Sequence, residues 1–285
     1  MKILFVMSGG GPAGIDIGTG TLKALQEAGF TPTHWSGTSA GAIVSAWCSS
    51  IGYNTSKLEV FVRSLDDSLL EYRNLWWLRE AWIGSIMSNV KIKSALKTNL
   101  PSVIPPNVYL WATRCKDLKL INVADQGLAD LPTAALASMS IRGIWPATQL
   151  LDGTFVIDGG FRKNLPYMPY IFPDFDQVWL LVSSGKPVIC DPIKVGLLGI
   201  ARDDISMLVE NSTLTTIEDN LDNPKVRVIC PMVDSPSLSF DHSLIDKAYV
   251  EAKKQIKNVR NSESADGLRA CKQAIIDEYK SYRNI

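Results

Sequence analysis

Gly37-Thr38-Ser39-Ala40-Gly41 has the form Gly-x-Ser-x-Gly. A strand-like run, Thr33-His34-Trp35, precedes it, and an apolar helix-like run, Ala40 to Trp47, follows. This is the layout of a nucleophile elbow. A tight strand-to-helix turn lifts the serine clear of the sheet while the flanking glycines let neighbouring backbone pack close. A helix opening directly behind Ser39 aims its free N–H groups and the positive end of its dipole at the same point. A serine so placed can carry an acyl group. A Gly/Ser-rich turn can also produce the pattern with no chemistry attached, so the surrounding residues must decide.

The next such group is Gly9-Gly10-Gly11-Pro12-Ala13-Gly14, between an apolar run and a helical pattern. It satisfies GxGxxG, the dinucleotide fingerprint. That reading requires an acid at the end of the second strand to hold the ribose hydroxyls. Here the strand ends in His34-Trp35-Ser36, and no cofactor is expected. No GKS or GKT follows, which disfavours a nucleotide phosphate loop. The other use of exposed glycine amides is an oxyanion hole: Gly9, Gly10 and Gly11 with the amide of Ala40.

Ser39 also needs a proton acceptor. The two histidines are His34, on the strand entering the elbow, and His242, in Ser239-Phe240-Asp241-His242. His242 would complete a Ser–Asp–His triad in α/β-hydrolase order, but in that fold further strands and helices separate the glycine loop from the elbow. Here one helix and one strand do. Asp158-Gly159-Gly160 offers a second base, at the end of the short strand Phe155-Val156-Ile157. A carboxylate beside a serine can take its proton if partial burial raises its pKa. Taken alone, Asp-Gly-Gly reads equally as a plain turn.

These groups must be positioned by an alternation of strands and helices. Strands are expected at Ile3–Met7, Val108–Thr113, Leu118–Val123, Phe155–Asp158, Val178–Ser183 and Val226–Cys230. Helices are expected at Ile17–Ala28, from Ala40 to about Ser49, on to about Leu70, at Leu131–Ser140 and near 200–217. A last one is expected over 243–282, interrupted near Gly267. The alternation predicts a three-layer α/β sheet, at least partly parallel. Residues 72–100 differ in texture: Trp76, Trp77, Trp82, Ile83, Ile86 and Met87 lie among Arg73, Arg79, Lys91, Lys93 and Lys97. They read either as a lid facing a lipid surface or as core.

Composition bounds the rest. The 285 residues, 46% apolar, suffice for one large domain. With 29 basic and 29 acidic residues the net charge is zero, so nothing points to nucleic acid. Cys48, Cys115, Cys190, Cys230 and Cys271 are scattered without a CxxC pair, which argues against a disulfide framework or a zinc site and for reduced thiols in the cytoplasm. No metal is expected. The apolar N-terminus is too short for a signal peptide, and no run of about 18 apolar residues spans a membrane. A peripheral membrane contact is left open, as is the oligomeric state.

Together, Gly9-Gly10-Gly11, Gly37-Thr38-Ser39-Ala40-Gly41 and Asp158-Gly159-Gly160 resemble the patatin-like phospholipase family in order and spacing. Leu22–Gly29 resembles its first helix, Ala137–Pro146 the segment before its catalytic strand, and Asp158–Pro166 its DGG followed by an Asn-x-Pro turn. The resemblance covers roughly 1–185. It implies a single patatin-like domain with the motif-bearing core there, a lid or cap at 72–100 and a helical C-terminal part at 243–285. The implied fold is an α/β/α sandwich with a central, largely parallel sheet. The implied chemistry is a Ser–Asp dyad without histidine acting on lipid acyl esters, as a phospholipase A or lipid acyl hydrolase. Ser39 is then the nucleophile, Asp158 the base, and Gly9, Gly10, Gly11 and Ala40 the oxyanion hole. The family's glycine motif usually carries Lys or Arg where this chain has Ala13. That departure motivates the alternative of a catalytically weak lipid-binding or effector protein on the same fold. Acyl transfer to another acceptor, or thioester cleavage, shares the first half-reaction.

Overall fold

The computed structural model describes residues 1–72, 85, 87–186, 209–235, 239–262 and 264–282. In chain order the strands are β1 (Ile3–Met7), β2 (His34–Thr38), β3 (Glu71–Tyr72), β4 (Met87–Ser88), β5 (Val108–Arg114), β6 (Leu120–Asn122), β7 (Thr148–Gln149), β8 (Phe155–Asp158), β9 (Gln177–Leu181) and β10 (Val226–Ile229). The helices are α1 (Gly11–Glu27), α2 (Ala40–Ile51), α3 (Thr55–Arg63), α4 (Val90–Asn99), α5 (Leu131–Ser138), α6 (209–218 in its described part), α7 (Ser243–Asn261) and α8 (Ala265–Ser281).

The main sheet has the order β10-β9-β1-β2-β5-β8-β7, with β6 also on β5. From β10 to β5 every pairing is parallel; β6, β7 and β8 join antiparallel. β1 is buried at all five positions, as expected of a strand covered on both faces. Its side chains divide by the period of two. Ile3, Phe5 and Met7 enter a core shared with Leu22 of α1, Ile43 of α2, Leu58 of α3 and Ile256 of α7. Leu4 and Val6 enter the opposite core with Leu214 and Ile217 of α6 and Ile275, Ile276 and Tyr279 of α8. Two apolar layers against one sheet make the three-layer sandwich.

Several expectations are corrected. α1 starts at Gly11, not Ile17, because Pro12 occupies its first turn, where a fixed φ and a missing N–H do no harm. The second helix of the 40–70 stretch stops at Arg63, before a short 3-10 turn at Asp67–Leu69. The break in the C-terminal helical part falls between Asn261 and Ala265. Gly267 lies inside the first turn of α8, its N–H bonded to the capping Ser264 Oγ at 3.1 Å. Of the lid candidates, Arg73, Trp76, Trp77, Arg79, Trp82, Ile83 and Ile86 lie outside the described residues. Met87 is buried, and α4 sends Ile92 and Leu96 into the main core. Within 87–100, Met87, Ile92, Leu96 and Leu100 are buried, while Val90, Lys91, Lys93 and Lys97 are exposed.

Candidate active site

Strand β2 delivers Ser39 to the carboxyl edge of the sheet, and α2 begins one residue later. Ser39 has φ 55° and ψ −124°, a conformation few non-glycine residues adopt and one that persists only when its surroundings enforce it. Two contacts do so here. The Ser39 N–H donates to Ser138 Oγ at 3.0 Å, and that hydroxyl donates to the Trp111 carbonyl at 2.6 Å. Gly41 lets the start of α2 pass against the end of β1: a Cβ there would lie 2.4 Å from the Met7 carbonyl oxygen. A side chain at that position is excluded, which accounts for the second glycine of the elbow.

Asp158 arrives from the other direction. Thr38 stands opposite Trp111, and the next residue of β5, Ala112, stands opposite Asp158. The antiparallel strand β8 thus brings the carboxylate down to the level at which β2 releases Ser39. The Asp158 N–H donates to the Ser140 carbonyl at 2.9 Å. The end of α5 and the residues just after it therefore fix both partners, Ser39 through Ser138 and Asp158 through Ser140. Asp158 Oδ1 accepts from the Gly160 N–H at 2.6 Å, while Oδ2 is buried and has no hydrogen-bond partner among the described residues. Burial pushes the carboxyl up to about 6, against the pull of the nearby Ser39 hydroxyl and the Gly160 amide. Since Oδ2 is unpartnered, the hydroxyl lies close enough to bias the carboxylate but outside the geometry of a formed hydrogen bond.

The glycine loop lies against the same serine. A Cβ on Gly9 would meet Ser39 Cβ at 2.9 Å and Asn164 Oδ1 at 2.5 Å. The Gly9 N–H is already engaged, donating to the backbone oxygen of Asn164 at 3.2 Å and to its Oδ1 at 3.0 Å. The N–H groups of Gly10, Gly11 and Ala40 have no partner among the described residues. Of the four expected oxyanion donors, these three are available to a ligand. Ala13 is fully buried against Ile17, Val233, Leu244 and Ala248. A lysine or arginine there would have to bury its charge among apolar side chains. Of the nearby cations, Lys163 is half-buried and desolvation lowers its pKa, with Asp219 opposing the shift. Arg162 is exposed.

Neither histidine bonds to Ser39 or Asp158. His34 starts β2, at the end away from Ser39, with Nδ1 3.0 Å from Thr33 Oγ1 and its ring edge-on to Phe175. His242 Nδ1 is 2.7 Å from Asp16 Oδ1. Asp16 is fully buried on α1, and burial is the main cause of its raised pKa, opposed by His242. Sequence reasoning did not find Ser138 or Asn164. The Ser-Met-Ser step after α5 and the Asn-x-Pro turn after DGG were the available signals. Among the described residues no three of His, Cys, Asp or Glu gather as a metal site, and no helix is long and apolar enough to cross a membrane.

An elbow serine, a buried aspartate at the same level of the sheet and a glycine loop thus lie together on the carboxyl edge of a mixed α/β sheet. The chain belongs to the patatin-like phospholipase family, a family of lipid hydrolases, whose model matches residues 5–171. It is 34% identical over 203 residues to the uncharacterized protein YqhO of Bacillus subtilis (strain 168), covering 68% of this chain and 59% of that one. Among solved structures, VipD from Legionella pneumophila superposes with a TM-score of 0.51 at 14% identity, covering 89% of this chain and 66% of that one. The type III effector protein ExoU gives a TM-score of 0.39 at 16% identity, over 99% and 62%. The chain thus spans about three-fifths of the length of YqhO.

Proposed function

We propose that this protein is a serine acyl hydrolase that cleaves lipid acyl esters, in the manner of a phospholipase A. The carrying observation is the pairing of a strained elbow serine with a buried carboxylate whose free oxygen has no other partner. Ser39 Oγ attacks the ester carbonyl as its proton passes to Asp158 Oδ2. The oxyanion of the tetrahedral intermediate lies against the N–H groups of Gly10, Gly11 and Ala40, at the positive end of α2. Each such donor is worth about 3–4 kcal/mol of barrier. Collapse expels the lysolipid alkoxide, which takes the proton from Asp158. Water then gives up a proton to Asp158 and attacks the acyl-enzyme; collapse releases the fatty acid while Asp158 returns the proton to Ser39 Oγ. A carboxyl near 6 is mostly ionised at neutral pH and still basic enough to accept a proton in the transition state. Family membership supports the lipid substrate.

A fluorophosphonate probe should label Ser39, and fatty acid should be released from phosphatidylcholine by the intact chain but not by Ser39→Ala. An unlabelled serine in a folded chain would favour the alternative, a catalytically weak lipid-binding protein on the same fold. Label without release into water would favour transfer to another acceptor.

A further inference from the structure

The sheet does not end at the catalytic pair. β5 and β8 continue past Ala112 and Asp158, with Thr113 opposite Ile157 and Arg114 opposite Val156, and the Cys115 N–H donates to the Phe155 carbonyl at 2.9 Å. At about 3.3 Å per residue this arm extends roughly 10 Å beyond Asp158, on the same edge to which β2 delivers Ser39. Two turns crown it, one joining β5 to β6 and one joining β7 to β8. They face each other across an open groove of about 690 Å³ lined by Arg114 to Asp117 and Asp152 to Phe155.

The side chains at these tips are unusual for a water-facing turn. Leu118 is 51% exposed, Leu151 78% and Phe155 50%. Leu118 is, with Ser39, one of two described non-glycine residues at positive φ, at 56°. A turn needing that conformation is normally given glycine, asparagine or aspartate. A leucine held there against its preference, with its side chain in water, has no account in the packing of the monomer. Lys116, Lys119 and Arg142 are exposed around the tips, and Arg142 is near enough to bias the Cys115 thiol. Of the two carboxylates present, Asp117 is tied to Arg114 at 2.7 Å and Asp152 binds the N–H and hydroxyl of Thr154.

We infer that this arm is a docking rim for an anionic lipid surface: Leu118, Leu151 and Phe155 enter the interface, and Lys116, Lys119 and Arg142 meet lipid phosphates. Apolar tips flanked by free cations are the combination that holds a protein at a membrane surface. The rim's place on the Ser39 edge turns the catalytic pair toward the bilayer. The inference rests on the lipid-hydrolase reading for its choice of partner.

The full chain carrying Ser39→Ala, which leaves vesicles intact, should co-sediment with phosphatidylcholine vesicles containing phosphatidylglycerol. Adding Leu151→Ser and Phe155→Ser should weaken that binding about tenfold or more, the scale of losing two apolar side chains from the interface. Lys116→Glu with Lys119→Glu alters only exposed side chains and should weaken it similarly at low salt, with the difference shrinking at high salt. With Ser39 intact, the rim variants should turn over a soluble short-chain ester like the parent. Vesicle binding that survives both variants, or a parent that does not sediment, overturns the rim. Rim-dependent sedimentation without ester turnover by the intact chain overturns the catalytic reading and leaves the rim standing.

Discussion

Replacing Asp158 with asparagine should abolish ester turnover and, at neutral pH, make the protein more stable. Burial raises the carboxyl from 3.8 to about 6. Below pH 3.8 the group is protonated in both folded and unfolded chains and contributes nothing to pH dependence. Between those two values the unfolded chain ionises while the folded one holds its proton, so the native state loses stability as pH rises. The loss is complete above the folded value. A shift of this size corresponds to about 3 kcal/mol. Asparagine can keep the Oδ1 bond from the Gly160 N–H and never ionises. The melting temperature of Asp158→Asn should therefore match the parent near pH 4 and exceed it by about 6 °C above pH 7, measured calorimetrically across that range. The same titration predicts that kcat/KM for a soluble ester rises as pH increases through about 6. A gap that fails to grow with pH, or an Asp158→Asn protein less stable than the parent at pH 8, would refute the claim that Asp158 is a desolvated carboxylate.

Further substitutions probe the pair and its surroundings. Ser39→Gly should melt higher than Ser39→Ala, since glycine alone releases the strain at φ 55°, a difference of about 1–3 kcal/mol in denaturant titrations; equal midpoints would mean the elbow stores no strain. His242→Ala should destabilise by about 1–3 kcal/mol because Asp16 loses a partner while buried, and Asp16→Asn in the same chain should recover part of it. Turnover of a soluble ester by folded His242→Ala should stay within a few-fold of the parent, and a loss of about 10⁴-fold would restore the triad reading. Asn164→Ala should lower kcat far more than it raises KM, because it removes the Oδ1 acceptor of the Gly9 N–H, leaving the longer backbone bond alone to hold the loop beside Ser39; an unchanged kcat would show that the side chain does not hold the loop.

Ser39 was legible because the elbow is local: strand, turn and helix follow one another within about fifteen residues, and each leaves a compositional mark. Asp158 was legible for a similar reason, since the two glycines after it mark a strand end. What stayed hidden depends on contacts between distant parts of the chain. The bond from Ser39 to Ser138 spans 99 residues and that from Gly9 to Asn164 spans 155. Nothing around Gly9 in the sequence says that its amide is already taken. A glycine run reads as loop throughout, which hides the start of α1 at Gly11, although Pro12 is a good opening residue. Met87 follows the tryptophans in a hydrophobic stretch, and hydrophobicity alone does not separate an interface from the core in which it is buried. The strand order and the reversal at β8, which brings Asp158 to the level of Ser39, follow from pairing between distant strands and have no counterpart in any single stretch of sequence.

Asn164 holds the glycine loop, and Asn164 is itself held from α6: its N–H donates to Ser212 Oγ at 3.1 Å and its Nδ2 to Thr213 Oγ1 at 2.9 Å. The residues that match the family end at 171, some forty positions before these two hydroxyls. The recognisable module and the working module are therefore different objects. A chimera or minimal fragment drawn at the limit of similarity would carry the serine, the aspartate and the glycines intact and leave behind the peg from which the glycine loop hangs.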